Sequence, residues 1–231
     1  MTDRVVAVVG ASGGIGGRVA ERLLRRGDTV IGTARSVDSL AGFGDGTPGT
    51  FTACALDLRD PTAGDGLVET VRSGPGRLDA LVVASGIVAF GDLLSTPDDV
   101  IEELFVTNVL GPLWLLRRAL PLLEASEGVV VHLSAVVAER PLPGMAAYSA
   151  SKAALTAADT ALVRELRRRR VRLVDVRPPH TETGLAGRAV AGDPPRLPVG
   201  LDPDEVARRV VSVLEDPSTT EIASADFGDG S

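Results

Sequence analysis

Short apolar runs alternate with longer segments of helical periodicity along most of this 231-residue chain. The first run, residues 4–9, is continuous and β-branched, which is typical of a strand buried on both faces. Residues 14–26 follow with apolar positions three or four apart and charged positions between them, which predicts an amphipathic helix. Gly27 stands where glycine commonly ends a helix.

The same alternation predicts five further strands and four further helices. The strands are residues 29–33, 51–56, 79–84, 129–134 and 171–176, and the helices are residues 63–72, 97–123, 147–169 and 204–214. Pro112 is a candidate bend in the longest helix, and residues 221–224 are a candidate seventh strand. The last residues, 226–231, are expected to fray. This βαβ alternation predicts an α/β fold with a parallel sheet covered by helices on both faces.

Charge and cysteine content narrow the functional classes. The formal net charge of −7 argues against binding nucleic acid or an anionic membrane through the overall field. The one basic block, residues 167–170, fits a solvated helix C-terminus. No apolar run is long enough to span a bilayer and the N-terminus lacks a signal-peptide pattern, so we expect a cytoplasmic protein without nucleic-acid or membrane partners. The single cysteine, Cys54, lies in an apolar run and is expected to be a buried strand thiol.

A glycine-rich run follows the first strand directly. Glycine is needed where the backbone turns tightly and must approach a pyrophosphate closely, and the helix that follows offers free N–H groups to phosphates. A turn that merely packs helix against strand is the alternative, but the position between an apolar strand and a helix favours a dinucleotide site. The expected contacts to the dinucleotide come from Gly10, Ser12, Gly14, Ile15 and Gly16.

The spacing Gly10-x-x-x-Gly14-Ile15-Gly16 resembles the pattern of the short-chain dehydrogenase/reductase family, and the resemblance extends from Val5 to about Leu214. It implies a carbonyl reductase or alcohol dehydrogenase built as a single Rossmann domain over residues 1–231. The doubly wound parallel sheet is expected in the order 3-2-1-4-5-6, with a possible seventh strand. Ligands of such a sheet bind beyond the carboxyl ends of strands one and four, where the order reverses.

The end of the second strand distinguishes the two nicotinamide cofactors. An acid there binds the ribose hydroxyls of NAD, whereas arginine accommodates the 2′-phosphate of NADP. Residues 33–36 contain Arg35 and no acid, which favours NADP over NAD, although Arg35 could also be an ordinary surface residue. Asp57 and Leu58 resemble the family's adenine-contacting pair, and Gly86 would allow close approach of the adenosine ribose.

Tyr148 and Lys152 lie four residues apart, which places both on one face of a helix. An ammonium and a nicotinium cation both favour the phenolate, whose pKa is otherwise near 10. The resemblance implies that Tyr148 exchanges a proton with the substrate oxygen, while Lys152 holds the cofactor ribose and lowers the tyrosine pKa. Asn108 matches the family's helix asparagine, which links an ordered water to the lysine; a local hydrogen bond within its helix is the alternative.

One catalytic position departs from the family pattern. The family expects a serine thirteen residues before the tyrosine, where this chain has Ala135, one place after Ser134. Adjacent strand residues point to opposite faces, so Ser134 serves as the catalytic serine only if the strand has ended or a bulge re-aims it. A substrate hydroxyl or a water is the other candidate for that place. Residues 83–86 also lack the family's usual paired asparagines, which puts stability more than binding in doubt.

Residues 177–183 resemble the family's Pro-Gly-x-x-x-Thr loop, with proline in place of the glycine. The resemblance places Pro178 and Thr181 near the nicotinamide and lets Thr183 bond its amide. His180, in the same loop, is a candidate substrate contact.

The other histidine, His132, is expected to be a core or sheet-edge residue of the fifth strand. Neither histidine belongs to a cluster with metal-ligand spacing, so no metal site is expected.

Two functions remain open at this stage. The first is NADP-dependent hydride transfer between the nicotinamide and a small carbonyl or alcohol, and the second is a cofactor-binding protein with non-redox or weak activity, which Ala135 motivates. A loop at about residues 179–201 is expected to cover the substrate with a partly apolar surface from Leu185, Ala186, Val190 and Leu197. Small residues on several faces of the helix from residue 147 favour a homodimer or homotetramer.

Overall fold

The computed structural model describes residues 3–228, which include a seven-stranded parallel sheet with helices on both faces. The strands are β1 (Val5–Val9), β2 (Thr29–Ala34), β3 (Thr50–Ala55), β4 (Ala80–Val83), β5 (Val129–Leu133), β6 (Arg172–Val176) and β7 (Glu221–Ile222). The helices are α1 (Gly14–Arg26), α2 (Ala63–Ser73), α3 (Asp98–Phe105), α4 (Gly111–Ser126), α5 (Ala146–Arg167) and α6 (Pro203–Glu215). The strand order β3-β2-β1-β4-β5-β6-β7 confirms the predicted fold, and the candidate seventh strand lies at the edge.

The sheet is buried on both faces because its strands are apolar at nearly every position. In β1, Val6 and Val8 contribute to a core shared with α1 and α6, whereas Ala7 and Val9 face a second core shared with α2, α4 and α5. Parallel pairing of β1 with β2 and with β4 places the reversal of strand order at the carboxyl ends of β1 and β4. The fold therefore leaves a crevice at the edge where the sequence predicts the ligand.

The longest predicted helix is not continuous. Residues 97–123 were expected to form one helix, but α3 and α4 are separated by a π-helical turn over Val106–Leu110. Pro112 lies in the first turn of α4 and has no N–H, so it cannot donate to the carbonyl of Asn108 as an α-helix would require. The wider turn just before the proline accommodates this missing hydrogen bond.

Several predicted boundaries also shift. β5 ends at Leu133 rather than at residue 134, and β7 has two residues rather than four. The expected fraying is wrong for Asp226 and Phe227, since a 3₁₀ turn over Ser224–Phe227 buries the Phe227 ring. Residues 229–231 of the predicted frayed tail lie outside the described residues.

A further sequence expectation concerns burial. Cys54 is a buried thiol of β3, as predicted. Within residues 3–228, no helix is long and apolar enough to cross a membrane.

Candidate active site

A cleft of about 340 Å³ lies at the carboxyl ends of β1, β4, β5 and β6. The predicted site residues that line it are Gly10, Ser12, Gly14, Ile15, Arg35, Asp57, Leu58, Gly86, Ser134, Tyr148, Lys152, Pro178, Thr181 and Thr183. Gly16 and Asn108, also predicted, lie behind the lining and shape it from there. The structure thus brings together residues that are as much as 173 positions apart from the first glycine to the last threonine.

Glycines bring the backbone of the opening turn close to the cleft. Gly10 has a φ of +84°, a conformation that other residues rarely adopt. A Cβ at Gly16 would lie 2.3 Å from the carbonyl oxygen of Gly10, so a side chain there would break the turn. The N-cap of α1 is Gly13, no side chain caps the helix, and its first turn contains no acid. These free N–H groups and the positive end of the helix dipole fit a pyrophosphate.

The loop after β6 packs directly over this turn. A Cβ at Gly14 would lie 2.8 Å from the Cβ of Thr183. The Oγ1 of Thr181 donates to the Pro179 carbonyl at 2.9 Å, and the Leu185 N–H donates to the Thr183 hydroxyl at 3.2 Å. The loop that the sequence assigns to the nicotinamide therefore lies across the opening turn.

Charged side chains gather at the β2 and β3 end of the cleft. Arg59 donates to Asp57 through its backbone N–H at 3.0 Å and through its guanidinium at 2.7 Å, and these bonds hold the pKa of Asp57 below its usual range. Arg35 lies close enough to lower that pKa further. Among residues 3–228, Arg35 has no hydrogen bond or ion pair, and it is exposed at the end of β2. A cation without a protein partner at this place suits a phosphate.

Tyr148 and Lys152 are buried side by side in the first two turns of α5. Their exposed fractions are 7% and 5%. Burial raises the pKa of Tyr148 to about 12 and lowers the pKa of Lys152 to about 8, the latter against the charges of Asp175 and Asp159. Lys152 is the only lysine in a chain with 24 lysine and arginine residues, and Tyr148 is the only tyrosine. Because every other basic residue of the chain is an arginine, the single lysine four residues after the single tyrosine stands out in the sequence.

Asn108 is held between two elements rather than within its own helix. Its Nδ2 donates to the Ile87 carbonyl at 3.0 Å and to the Ser151 hydroxyl at 3.1 Å, and its Oδ1 accepts from the Ile87 N–H at 2.9 Å. The alternative of a local helical bond is therefore wrong. A Cβ at Gly86 would lie 3.1 Å from Asn108 Oδ1 and 3.2 Å from Lys152 Nζ, so the glycine lets both groups approach the chain after β4.

The hydroxyl of Ser134 is engaged away from the tyrosine. β5 ends one residue earlier, which is the condition under which Ser134 was expected to substitute for the missing serine. Its Oγ, however, donates to Asp175 Oδ1 at 2.5 Å in the interior. Ala135 instead packs against the apolar cluster that contains Tyr148. A methyl group, not a hydroxyl, stands on the tyrosine side of the cleft.

Apolar side chains from four segments surround Tyr148. The cluster consists of Val88, Ala89, Phe90, Leu104, Val137, Met145 and Tyr148. Sequence reasoning missed Phe90 and Met145, although the apolar run after Gly86 is a signal for the first. Of the loop residues expected to cover the substrate, Leu185, Ala186 and Leu197 line the cleft, and Val190 packs against the cluster instead. Two backbone bonds of 2.9 Å, Val190 N–H to the Val88 carbonyl and Phe90 N–H to the Ala191 carbonyl, dock this loop.

The two histidines differ in surroundings. His180 lines the cleft, with its Nε2 3.4 Å from Glu182 Oε1. His132 is fully buried, with its Nδ1 2.7 Å from Asp159 Oδ1, while its Nε2 has no partner among the described residues. In that same part of the chain, no three His, Cys, Asp or Glu side chains are grouped so that they could hold a metal ion.

Comparison with known proteins identifies the family. The family model for short chain dehydrogenase matches residues 4–193. NADPH-dependent 3-dehydrocapnine reductase of Ornithobacterium rhinotracheale is 31% identical over 199 residues, covering 83% of this chain and 70% of the relative. Glycine betaine reductase of Emericella nidulans is 31% identical over 94% of this chain, which spans only 18% of that longer protein. A metagenomic short-chain oxidoreductase in complex with NADP matches with a TM-score of 0.82 at 28% identity, covering 96% of both chains.

The matched residues include the opening turn, Asn108 and the Tyr148–Lys152 pair. The strand order and the cleft agree with the same assignment. The chain therefore belongs to the short-chain dehydrogenase/reductase family and is an NAD(P)-dependent oxidoreductase.

Proposed function

We propose that this protein is an NADP-dependent reductase of carbonyl compounds in which Tyr148 is the general acid. One observation carries the proposal: the only tyrosine and the only lysine of the chain line the cleft that the opening turn also lines. A neutral phenol beside a buried amine can donate a proton to a substrate oxygen. The same groups working in reverse would oxidise an alcohol.

The lining fits a phosphorylated dinucleotide. The free N–H groups at the start of α1 would hold the pyrophosphate, Arg35 the 2′-phosphate, and Asp57 and Leu58 the adenine. Lys152 would hold the nicotinamide ribose, and Thr183 the carboxamide. When bound, the cofactor would supply the hydride. The NADPH-dependent relative and the NADP complex described above support this choice over NAD.

The ionisation of Tyr148 favours reduction. With a pKa of about 12, the phenol is neutral at physiological pH and ready to donate its proton to the developing alkoxide. Acting first as a base would require lowering that pKa to 7, which takes about 7 kcal/mol of preferential phenolate stabilisation. The ammonium of Lys152 supplies part of this phenolate stabilisation. Reduction does not require the stabilisation before the reaction starts, because the phenol donates its proton from the neutral form.

The missing serine limits the rate rather than the type of reaction. Ala135 offers no hydrogen bond to the substrate oxygen, and the Ser134 hydroxyl is bonded to Asp175. Loss of one such donor costs about 10²–10³ in rate. A substrate hydroxyl or a water would supply the second hydrogen bond beside that of Tyr148.

The substrate end of the cleft favours an uncharged, apolar carbonyl compound. Apart from Lys152, the charged residues of the lining lie at the adenine end or, for Arg188, beside the opening turn. The remaining wall near Tyr148 comes from Phe90, Val137 and Met145. A substrate carboxylate placed there would compete with the cofactor ribose for Lys152, and burial of a carboxylate without its own partner costs several kcal/mol.

NADPH oxidation with matched carbonyl compounds tests the proposal. We expect turnover of linear methyl ketones, with kcat/KM at least about tenfold higher than for 2-oxo acids of the same carbon number. NADH should serve less well than NADPH. Tyr148→Phe should reduce kcat by about 10²–10⁴ while NADPH still binds, because a general acid is removed.

A cofactor-binding protein without ordinary redox activity is the second candidate, and Ala135 is the observation that favours it. Tight NADPH binding with no oxidation by any ketone, aldehyde or oxo acid, and no NADP⁺ reduction by the matching alcohols, would support that candidate and contradict the first.

A further inference from the structure

A polar layer lies between α5 and the sheet directly behind the proposed active site. On α5, Lys152, Thr156 and Asp159 are spaced four and three residues apart and so share one helix face. A helix that packs on a sheet ordinarily presents aliphatic residues there. Here Lys152 bonds the Leu133 carbonyl at the end of β5, Thr156 bonds Asp175 of β6, and Asp159 contacts His132 of β5. Ser134 and Arg177, which follow β5 and β6, bond the same Asp175.

Asp175 is the centre of this layer. Its Oδ1 accepts from the Ser134 hydroxyl at 2.5 Å, and its Oδ2 accepts from the Thr156 hydroxyl at 2.8 Å and from Arg177 Nη1 at 3.0 Å. The residue is 5% exposed. Three donors from three segments of the chain fix the carboxylate in place.

Lys152 needs a negative charge that its direct contacts do not provide. Its Nζ donates to the Leu133 carbonyl at 3.0 Å, and no carboxylate of the described residues is near enough for a direct ion pair. A buried ammonium without compensation is costly. Arg177 does not fully neutralise the charge of Asp175, because its guanidinium also pairs with Glu139 and Glu221.

We propose that Asp175 is a positioning residue for the reaction: its fixed negative charge keeps the amine of Lys152 protonated, and its bonds to Ser134 and Thr156 tie together the strand and the helix that hold that amine. The role rests on the proposed function of Lys152. The other titratable groups of this layer are Asp159 on α5, His132 on β5 and Arg177 just after β6, and Tyr148 lies one turn before Lys152 on α5.

Asp159 supports the amine less strongly. Burial raises the pKa of Asp159, and its Oδ1 is already engaged by His132 Nδ1 at 2.7 Å. The charge of Asp175 accordingly raises the pKa of Lys152 more than that of Asp159 does.

NMR titration of ¹³Cε-labelled lysine tests the proposal without any substrate, since Lys152 is the only lysine and gives one side-chain signal. The wild-type midpoint is expected near pH 8. In Asp175→Asn the midpoint should fall by about one unit or more, because a nearby opposite charge is removed. Thr156→Val is the matched control: it deletes a hydrogen bond to the same carboxylate but no charge, so its midpoint should fall by much less than that of Asp175→Asn.

A smaller neutral variant, Asp175→Ser, replaces Asp175→Asn if the latter does not fold. An unchanged or higher midpoint in the neutral variants, or an equal fall in Thr156→Val, overturns the proposal. As the pH rises, NADPH affinity measured by fluorescence should begin to decline at a lower pH in Asp175→Asn than in the wild type, because the amine of Lys152 loses its proton earlier. A protein that shows these shifts but oxidises no NADPH would contradict the proposed reductase function while leaving the role of Asp175 intact.

Discussion

At position 135 a methyl group stands where a polarising hydroxyl would act. The neighbouring hydroxyl of Ser134 cannot be exchanged for it without breaking a buried bond to Asp175. The sequence predicted Tyr148, Lys152 and the departure at Ala135, because all three follow from spacing along one chain. It did not predict Asp175 or Phe90, since their roles depend on pairings across strands and loops that no local pattern records.

Restoring the hydroxyl should raise the rate. In Ala135→Ser we expect kcat for ketone reduction to increase about tenfold or more, because a second hydrogen bond then reaches the substrate oxygen. Steady-state kinetics at saturating NADPH measure it. Ala138→Ser, in the same 3₁₀ turn but outside the cleft lining, is the control. Equal rates in the wild type and Ala135→Ser would show that residue 135 does not face the reacting oxygen.

At the scale of elements, continuous apolar runs predicted six strands to within two residues at each end, because strands buried on both faces leave little ambiguity. The break between α3 and α4 was not predicted, since Pro112 indicates a bend in the helix but does not indicate the π-helical turn that precedes it. The docked loop was predicted only as an aperiodic segment. The position of this loop depends on Gly192, whose φ is +68°. A Cβ at this residue would lie 2.0 Å from the Phe90 carbonyl oxygen.

Gly192→Ala should therefore undock the loop. The added methyl cannot coexist with the Phe90 carbonyl, so the bonds at Val190 and Ala191 should open. We expect faster hydrogen exchange at the N–H groups of Val190 and Phe90, which donate these two bonds, and a higher KM for the carbonyl substrate. Gly187→Ala in the same loop is the control, because a Cβ there meets no atom within 4 Å. If both variants exchange alike, Gly192 does not fix the loop.

At the scale of the molecule, the fold was predictable because alternation of strand and helix leaves few arrangements of a parallel sheet. One face of α5 carries small residues at the surface. Ala150, Ala157 and Ala161 are exposed along α5, where their small size would let another helix approach closely. We infer that this face packs against a second copy of the chain.

The expected assembly is a homodimer or homotetramer. Light scattering at micromolar concentration should give twice or four times the mass of one chain. Ala157→Arg should lower that mass by placing a large cation on the α5 face, whereas Ser73→Arg, at the exposed end of α2, should not. A wild-type protein that runs as a monomer contradicts the assembly.

The most direct test of the whole account is an ultraviolet titration of Tyr148, the only tyrosine, with and without NADP⁺. The opening turn and the tyrosine must act on one cofactor, so a bound nicotinium should lie beside the phenol and favour its ionisation. We expect a phenolate midpoint near pH 12 in the free protein and a midpoint at least about one unit lower with NADP⁺ bound. Identical midpoints at saturating NADP⁺, or no binding of the dinucleotide, would contradict the account.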